Sequence, residues 1–362
     1  MKKGIVIGLI ILALLLAAVG FGVFYLDIPG LLSAEAPVQT QPVATEPTQS
    51  IPETEPTEPE PTEPEPTEPE PTEPEPTEPP FVLETQDSWS EFLYGREITA
   101  GEYFVYDLDA DRFVVRTGSV EDKLYPASIT KLYTAYVALQ YLDPQEQVSV
   151  GGEIWLIDED SSVADLLPED ELTVEQLIAG MLLPSGNDAA QTVAVAAGRK
   201  LAENPDLDIW SAIDRFVQQM NDDAEKLGLT GSHFVTVDGM HSYNHYISMQ
   251  DMVTIGRLAL SNEVITKSAA TETQTVVLTQ NRSLDWENTN LLTHADSRYY
   301  CGYITGLKTG FTTPAGYCLL SSAEVNGRHL LIGVFECEFP EDRFADVLLL
   351  FMRTLNEPIT SP

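Results

Sequence analysis

Ser128 and Lys131 stand three residues apart in Tyr125-Pro-Ala-Ser-Ile-Thr-Lys131. A serine hydroxyl attacks a carbonyl at neutral pH only when a base lies beside it, and an uncharged lysine can be that base. Pro126 suits the first turn of a helix, because its missing N–H would have no partner there. An apolar-periodic run follows from Leu132 to Leu142, so a helix is expected to open at this point and stop at Asp143-Pro144. Positions i and i+3 share a helical face, which would bring hydroxyl and amine together. A lone Ser-x-x-Lys is also a common surface pair, so this spacing decides nothing by itself.

Two further motifs change that balance. Pro184-Ser-Gly-Asn-Asp188 falls at the break between two predicted helices, and Lys308-Thr-Gly310 opens a predicted strand. Separately, these are an ordinary helix cap and an ordinary strand start. In this order and context, the three form the active-site set of penicillin-binding proteins and class A β-lactamases. The chain resembles the serine-type D-Ala-D-Ala carboxypeptidases, the low-molecular-mass penicillin-binding proteins of peptidase family S11. The resemblance covers roughly residues 101–339. It is carried by Pro126-Ala-Ser-Ile-Thr-Lys131, Leu183-Pro-Ser-Gly-Asn-Asp-Ala189, Gly306-Leu-Lys-Thr-Gly-Phe-Thr312, Ala315-Gly-Tyr-Cys318, and the block from His233-Phe-Val through Asp238-Gly-Met-His241 to Asn244-His-Tyr246.

The resemblance implies roles residue by residue. Ser128 would be the acylated nucleophile, Lys131 its base, and Ser185 a proton relay to the leaving D-alanine. Asn187 would hold Lys131 and the substrate amide. Lys308 and Thr309, with Gly310, would bind the terminal carboxylate. The backbone N–H groups of Ser128 and Phe311 would form the oxyanion hole. His245 is expected to be structural. No cofactor or metal is implied. The partners implied are peptidoglycan stem peptides ending in D-Ala-D-Ala, with β-lactams as covalent inhibitors. Alternatives are a class A-like β-lactamase, a D,D-endopeptidase using the same site, and a non-catalytic wall-binding protein. The Glu-containing loop that lets a lactamase deacylate rapidly is not evident, and Glu225-Lys-Leu-Gly-Leu229 does not supply it.

The implied fold is α/β, of β-lactamase/transpeptidase-like type: an antiparallel sheet flanked by helices, plus an all-α lobe. The local patterns fit. Strands are expected at 102–108 and 113–117 around an Asp-Ala-Asp-Arg turn, then at 274–279, 283–288, 308–312, 316–323 and 329–338. The last two are joined by Asn326-Gly327, a strong hairpin signal. Helices are expected from the capping-box sequence Thr173-Val-Glu-Gln176 to Leu183, then over 187–203, 209–227, from Ser248 to about Leu260, and over 340–355. Strands at both ends with helices between predict that the terminal strands pair.

Three segments are read from composition. Residues 1–32 carry Lys2 and Lys3 before the uncharged run Gly4–Leu26. That run makes about 34 Å of helix, enough to span a bilayer with the N-terminus inside. Its length favours an uncleaved anchor over a cleaved signal peptide, although Ala34-Glu-Ala36 resembles a cleavage site. Residues 33–80 are expected to be a disordered Pro/Thr/Glu spacer, extended by proline and glutamate repulsion and ending in five periods of Pro-Thr-Glu-Pro-Glu from Pro56, the last reading Pro-Thr-Glu-Pro-Pro. Residues 81–362 form the expected catalytic domain. Many relatives carry a C-terminal β-domain and an amphipathic anchor helix. Here one helix follows the last predicted strand, so attachment is expected at the N-terminus, on the outer side of the cell membrane.

Charge and cysteine usage exclude other classes. The formal net charge is −38, and the first 80 residues hold 2 lysines against 14 acids. Both parts are acidic, which excludes a phosphate-tracking nucleic-acid surface and a basic membrane-surface patch. Cys301, Cys318 and Cys337 show no metal-ligand spacing and are expected as buried thiols, with a Cys318–Cys337 bridge left open.

Overall fold

The computed structural model describes residues 93–278 and 282–356. The expected anchor (1–32), the spacer (33–80) and the start of the catalytic domain at residue 81 lie outside the described residues. Among the described residues, no helix is long and apolar enough to cross a membrane.

A five-stranded antiparallel sheet organises the chain. β1 (Glu102–Asp107) and β2 (Arg112–Arg116) form the expected hairpin. Its turn is built by Asp107, whose carboxylate accepts from the N–H groups of Asp109 and Ala110. The connecting chain then carries two-stranded ribbons and helices. β3 (Lys123–Leu124) pairs with β6 (Ile247–Ser248), and β4 (Gln147–Ser149) pairs with β5 (Glu171–Thr173). β7 (Thr273–Val277) and β8 (Ser283–Glu287) form a third ribbon. β9 (Ile304–Thr312), β10 (Gly316–Val325) and β11 (Arg328–Cys337) complete the main sheet in the order β2-β1-β11-β10-β9. The first and last strands therefore pair, as the pattern predicts, with Glu102 opposite Phe335 and Asp107 opposite Leu330.

The helices are α1 (Thr130–Ala138), α2 (Val174–Leu182), α3 (Asn187–Leu201), α4 (Ile209–Lys226), α5 (Met249–Leu260), α6 (Glu263–Ala270) and α7 (Asp342–Asn356). The capping box at α2 is present: Thr173 Oγ1 accepts from Gln176 N, and Gln176 Oε1 accepts from Thr173 N. Ser248 caps α5 by accepting from Asp251 N at 3.1 Å.

Alternation along the strands separates two apolar layers. In β11, Leu330, Ile332 and Val334 face Phe344, Val347, Leu348 and Phe351 of α7. Leu331 and Phe335 face the opposite way, with Phe104 and Leu320, into a layer shared with α1–α6. The sheet is thus buried on both faces, and the helical lobe grows from one of them.

Several boundaries depart from the expected ones. β9 begins four residues earlier than the Lys-Thr-Gly motif, because Ile304 and Leu307 are buried against neighbours that the local pattern does not reveal. α1 ends at Ala138, and the chain reaches Leu142 in hydrogen-bonded turns before Pro144. α6 and the ribbons β3–β6 and β4–β5 were not expected. The ribbons are short and owe their form to tertiary pairing, whereas α6 carries a local start signal that sequence reasoning missed, Asn262, whose side chain accepts from Val264 N and Ile265 N. Cys301, Cys318 and Cys337 are all free and buried, so the Cys318–Cys337 bridge is not formed.

Candidate active site

The turn that delivers Ser128 is not a simple helix start. Ala127–Ile129 form one 3₁₀ turn ahead of α1, and Ala127 adopts φ +47°. A left-handed β-carbon-bearing residue costs of order 1 kcal/mol and persists only where its surroundings fix it. Two close backbone approaches do so. Gly239, at φ +85°, lies so near that a β-carbon there would meet the Ala127 carbonyl oxygen at 1.8 Å. A β-carbon on Gly310 would stand 2.9 Å from Pro126 O and 3.2 Å from Ser128 N. The nucleophile turn is thus gripped between the 236–241 loop and the sheet edge, and only glycine fits at either contact.

α1 carries Lys131 directly beneath the hydroxyl. Its Nζ is 2.8 Å from Ser128 Oγ, 2.7 Å from Asn187 Oδ1, 3.2 Å from the Asp238 carbonyl oxygen and 3.5 Å from Ser185 Oγ. Lys131 is wholly buried. Burial lowers its pKa to about 8, against the opposing pull of Asp238 and Asp188. A substantial neutral fraction then exists near neutral pH, which is the form that can take a proton.

Ser185 and Asn187 come from the break between α2 and α3. Ser185 is buried at φ +64°, a second left-handed residue aimed at the site. Asp188 secures this break from behind, its carboxylate accepting from Ala164 N and Leu166 N. Asn187 N donates to Ser162 O, which ties the 158–162 loop to the same corner.

β9 is the edge strand of the sheet and forms the other wall. Ser128, Ser185, Asn187, Thr309, Gly310 and Phe311 line one cavity of about 610 Å³. Phe311 is half exposed and stacks on Tyr317, ring centroids 4.2 Å apart. Lys308 stands behind this wall, wholly buried. Its Nζ lies 3.1 Å from Thr309 O, 3.3 Å from Thr309 Oγ1 and 3.4 Å from Thr289 Oγ1. Burial drives its pKa well down, with further repulsion from Lys131 and Arg343.

His245 is packed under the site. Its Nε2 lies 2.9 Å from Thr130 Oγ1, while Nδ1 accepts from the N–H groups of Val235 and Thr236. Nδ1 is therefore unprotonated, and burial lowers the ring pKa to about 4. The ring buttresses the nucleophile turn and does not line the cavity.

Sequence reasoning missed three contributors. Thr289 follows β8 and shares a 2.6 Å hydrogen bond with Thr309 Oγ1. Arg343, at the start of α7, donates to Gly310 O at 3.3 Å and lines the cavity. The loop Asp158-Glu-Asp160 closes the cavity mouth with exposed acids. Thr289 and Arg343 carry no local motif; only the pairing of β9 with its surroundings brings them in.

An antiparallel sheet with helices and a Ser/Lys/Ser/Asn corner defines an α/β protein of the penicillin-binding, transpeptidase-like fold. The solved Streptomyces K15 DD-transpeptidase superposes with TM-score 0.63 at 25% identity, covering 72% of this chain and 98% of that one. Penicillin-binding protein D2 of Listeria monocytogenes, solved with cefotaxime bound, superposes with TM-score 0.58 at 24% identity, covering 72% and 99%. A family model described as D-alanyl-D-alanine carboxypeptidase matches residues 88–338, and the chain belongs to that family, peptidase family S11. Among its relatives are the D-alanyl-D-alanine carboxypeptidase DacF of Bacillus subtilis, 28% identical over 245 residues, and DacD of Escherichia coli, 31% identical over 253 residues. The match covers 67% and 66% of this chain respectively, and 58% of each relative's own length.

Proposed function

We propose that the chain is a serine D-Ala-D-Ala carboxypeptidase that removes the terminal D-alanine from peptidoglycan stem peptides and is acylated by β-lactams. The observation that carries this reading is the 2.8 Å contact of Ser128 Oγ with the buried Lys131 Nζ, whose pKa is lowered to about 8.

Neutral Lys131 takes the proton of Ser128 as Oγ attacks the carbonyl carbon of the penultimate D-alanine. The oxyanion of the tetrahedral intermediate is held by the backbone N–H groups of Ser128 and Phe311. The C–N bond then breaks. The leaving amine takes its proton through Ser185, which is replenished from the Lys131 ammonium 3.5 Å away. Water next attacks the Ser128 ester and gives its proton to neutral Lys131; the acyl C–Oγ bond breaks, Lys131 returns the proton to Ser128 Oγ, and the shortened peptide leaves the free serine behind.

Asn187 orients Lys131 through the 2.7 Å contact and leaves its amide N–H₂ for the substrate backbone. The substrate carboxylate is bound by Thr309 at the cavity wall. Lys308 supplies positive potential from behind, and Arg343 supplies it from the side. The uncharged run 4–26 and the Pro/Thr/Glu repeat suit an enzyme held outside the cell membrane on a spacer.

The test is incubation of the purified chain with a muropeptide ending in D-Ala-D-Ala. Released D-alanine, abolished by Ser128→Ala, is the expected result. A fluorescent penicillin should label the wild type and not this variant. A covalent adduct that survives Ser128→Ala overturns the nucleophile assignment. Rapid turnover of a chromogenic cephalosporin makes the protein a β-lactamase instead.

A further inference from the structure

We propose that Glu272, His294 and Asp296 form a binding site for a divalent transition-metal ion, with Zn²⁺ the ion that best fits the donors. The site is separate from the catalytic cavity and stands whether or not the proposed reaction does. The three side chains come from the approach to β7 and from the turn that follows β8. Their ligand atoms all lie within 4.8 Å of one another.

His294 is what distinguishes this group from an ordinary patch of surface acids. It is only 4% exposed, unusual for an imidazole with carboxylates for neighbours. Its Nε2 lies 2.6 Å from the carbonyl oxygen of Asn288. A carbonyl only accepts, so Nε2 carries the proton and Nδ1 of the neutral ring is left with its lone pair. That lone pair points at the acids and has no hydrogen bond: the nearest carboxylate oxygens are Glu287 Oε1 at 3.6 Å and Glu272 Oε1 at 3.9 Å. Two ligands sharing one small cation stand further apart than hydrogen-bonded atoms. With bonds near 2.1 Å at a tetrahedral angle they are about 3.4 Å apart. The observed gaps are slightly wider, so an ion bound here would draw the two carboxylates in by a few tenths of an ångström, as a ~3.4 Å ligand spacing requires.

The surroundings are arranged as they are around metal-bound histidines. An imidazole that ligates through one nitrogen commonly donates its other N–H to a carbonyl, which fixes tautomer and ring plane. Asn288 O does this here. Glu272 is also held: its Oε2 accepts from Ala295 N at 3.3 Å, leaving Oε1 toward the ring. Asp296 is exposed and forms the solvent side of the cluster, and Glu287, also exposed, stands 3.6 Å from Nδ1 as a candidate fourth donor. One imidazole with two or three carboxylates suits Zn²⁺, whereas Ca²⁺ and Mg²⁺ take oxygen donors alone. The Asn288 carbonyl that orients His294 is one residue from Thr289, so a bound ion would tether the chain that supports Thr309.

The test uses the purified full-length chain, free of any affinity tag and stripped with a chelator, titrated with Zn²⁺ by calorimetry at pH 7.5. One equivalent should bind with a micromolar or tighter Kd, and Tm should rise by several degrees. Co²⁺ in its place should give the visible absorption of a four-coordinate ion. Glu272→Gln and Asp296→Asn change side chains that reach solvent, so both should fold and bind at least tenfold more weakly. His294→Gln should remove the site. No saturable binding in the wild type overturns the proposal, as does equal binding in all three variants. If Zn²⁺ leaves Tm unchanged in the wild type, the proposal fails.

Discussion

A β-carbon on Gly310 would stand 2.9 Å from the carbonyl oxygen of Pro126, so the edge of β9 and the nucleophile turn touch through bare backbone. Gly310→Ala must push the strand or the turn aside by several tenths of an ångström. A misplacement of that order near a reacting centre costs up to about 10²-fold in rate. Acylation by a fluorescent penicillin should fall by one to two orders of magnitude. The spectrum of the folded protein should be retained. An unchanged acylation rate would show that the contact is loose.

Acylation should rise with pH through a value near 8, as Lys131 loses its proton. Lys308, also pushed down by burial and by Lys131, couples to it, so the measured value belongs to the pair. The same shift sets a stability trend. The folded Lys131 pKa lies below the unfolded one, so between about pH 8 and 10.5 the unfolded chain binds more protons and folding gains stability as pH rises. Melting curves of wild type and Lys131→Met across that range should show the wild type gaining relative to the variant. A constant difference refutes the depressed value.

Thr289→Val removes a hydroxyl bonded to Thr309 at 2.6 Å and within 3.4 Å of Lys308 Nζ. Val keeps the shape of the side chain but leaves a buried Thr309 hydroxyl and the buried Lys308 amino group short of a partner. The expected cost is about 1.4 kcal/mol, or roughly tenfold in kcat/KM, carried mainly by KM. Steady-state release of D-alanine measures both parameters. A change confined to kcat would place Thr289 in the proton path instead.

His245 should make the protein sensitive to mild acid. Its folded pKa of about 4 lies below the ordinary 6.5, so its stabilising share is complete above pH 6.5 and is lost as pH falls toward 4. The shift corresponds to on the order of 3 kcal/mol. Tm of the wild type should drop between pH 7 and 4.5 by clearly more than that of His245→Gln. Parallel curves for the two proteins would contradict the assignment.

Much of the site was legible because its parts are local. Ser128 and Lys131 meet through a three-residue spacing. Ser185 and Asn187 sit at a helix break announced by Pro184 and Gly186. Lys308–Gly310 open the stretch 308–312, expected as a strand. The pairing of β1 with β11 followed from element order. Illegible were contacts made only by folding. Thr289 meets Thr309 across separate elements, and Arg343 reaches Gly310 from the last helix. Lys308 stands behind the cavity wall, although its motif reads like a surface contact. The four leading residues of β9 are set by burial, which no local period encodes, while α6 was announced by the Asn262 cap and by Ile265, Ser268 and Ala269 at helical spacing.

The three thiols give the molecule a gauge of its own opening. Cys301, Cys318 and Cys337 occur in different parts of the apolar layers, each about 1% exposed or less. Burial raises the Cys301 and Cys318 pKa values to about 11 and about 12, so almost no thiolate exists in the closed fold. An alkylating reagent can therefore enter only when the sheet parts from α7 or from the nucleophile turn. The order in which the three become labelled would then rank the local unfolding events of the segment leading into β9, of β10 and of β11. Acylation of Ser128 should delay whichever of them the adduct holds shut.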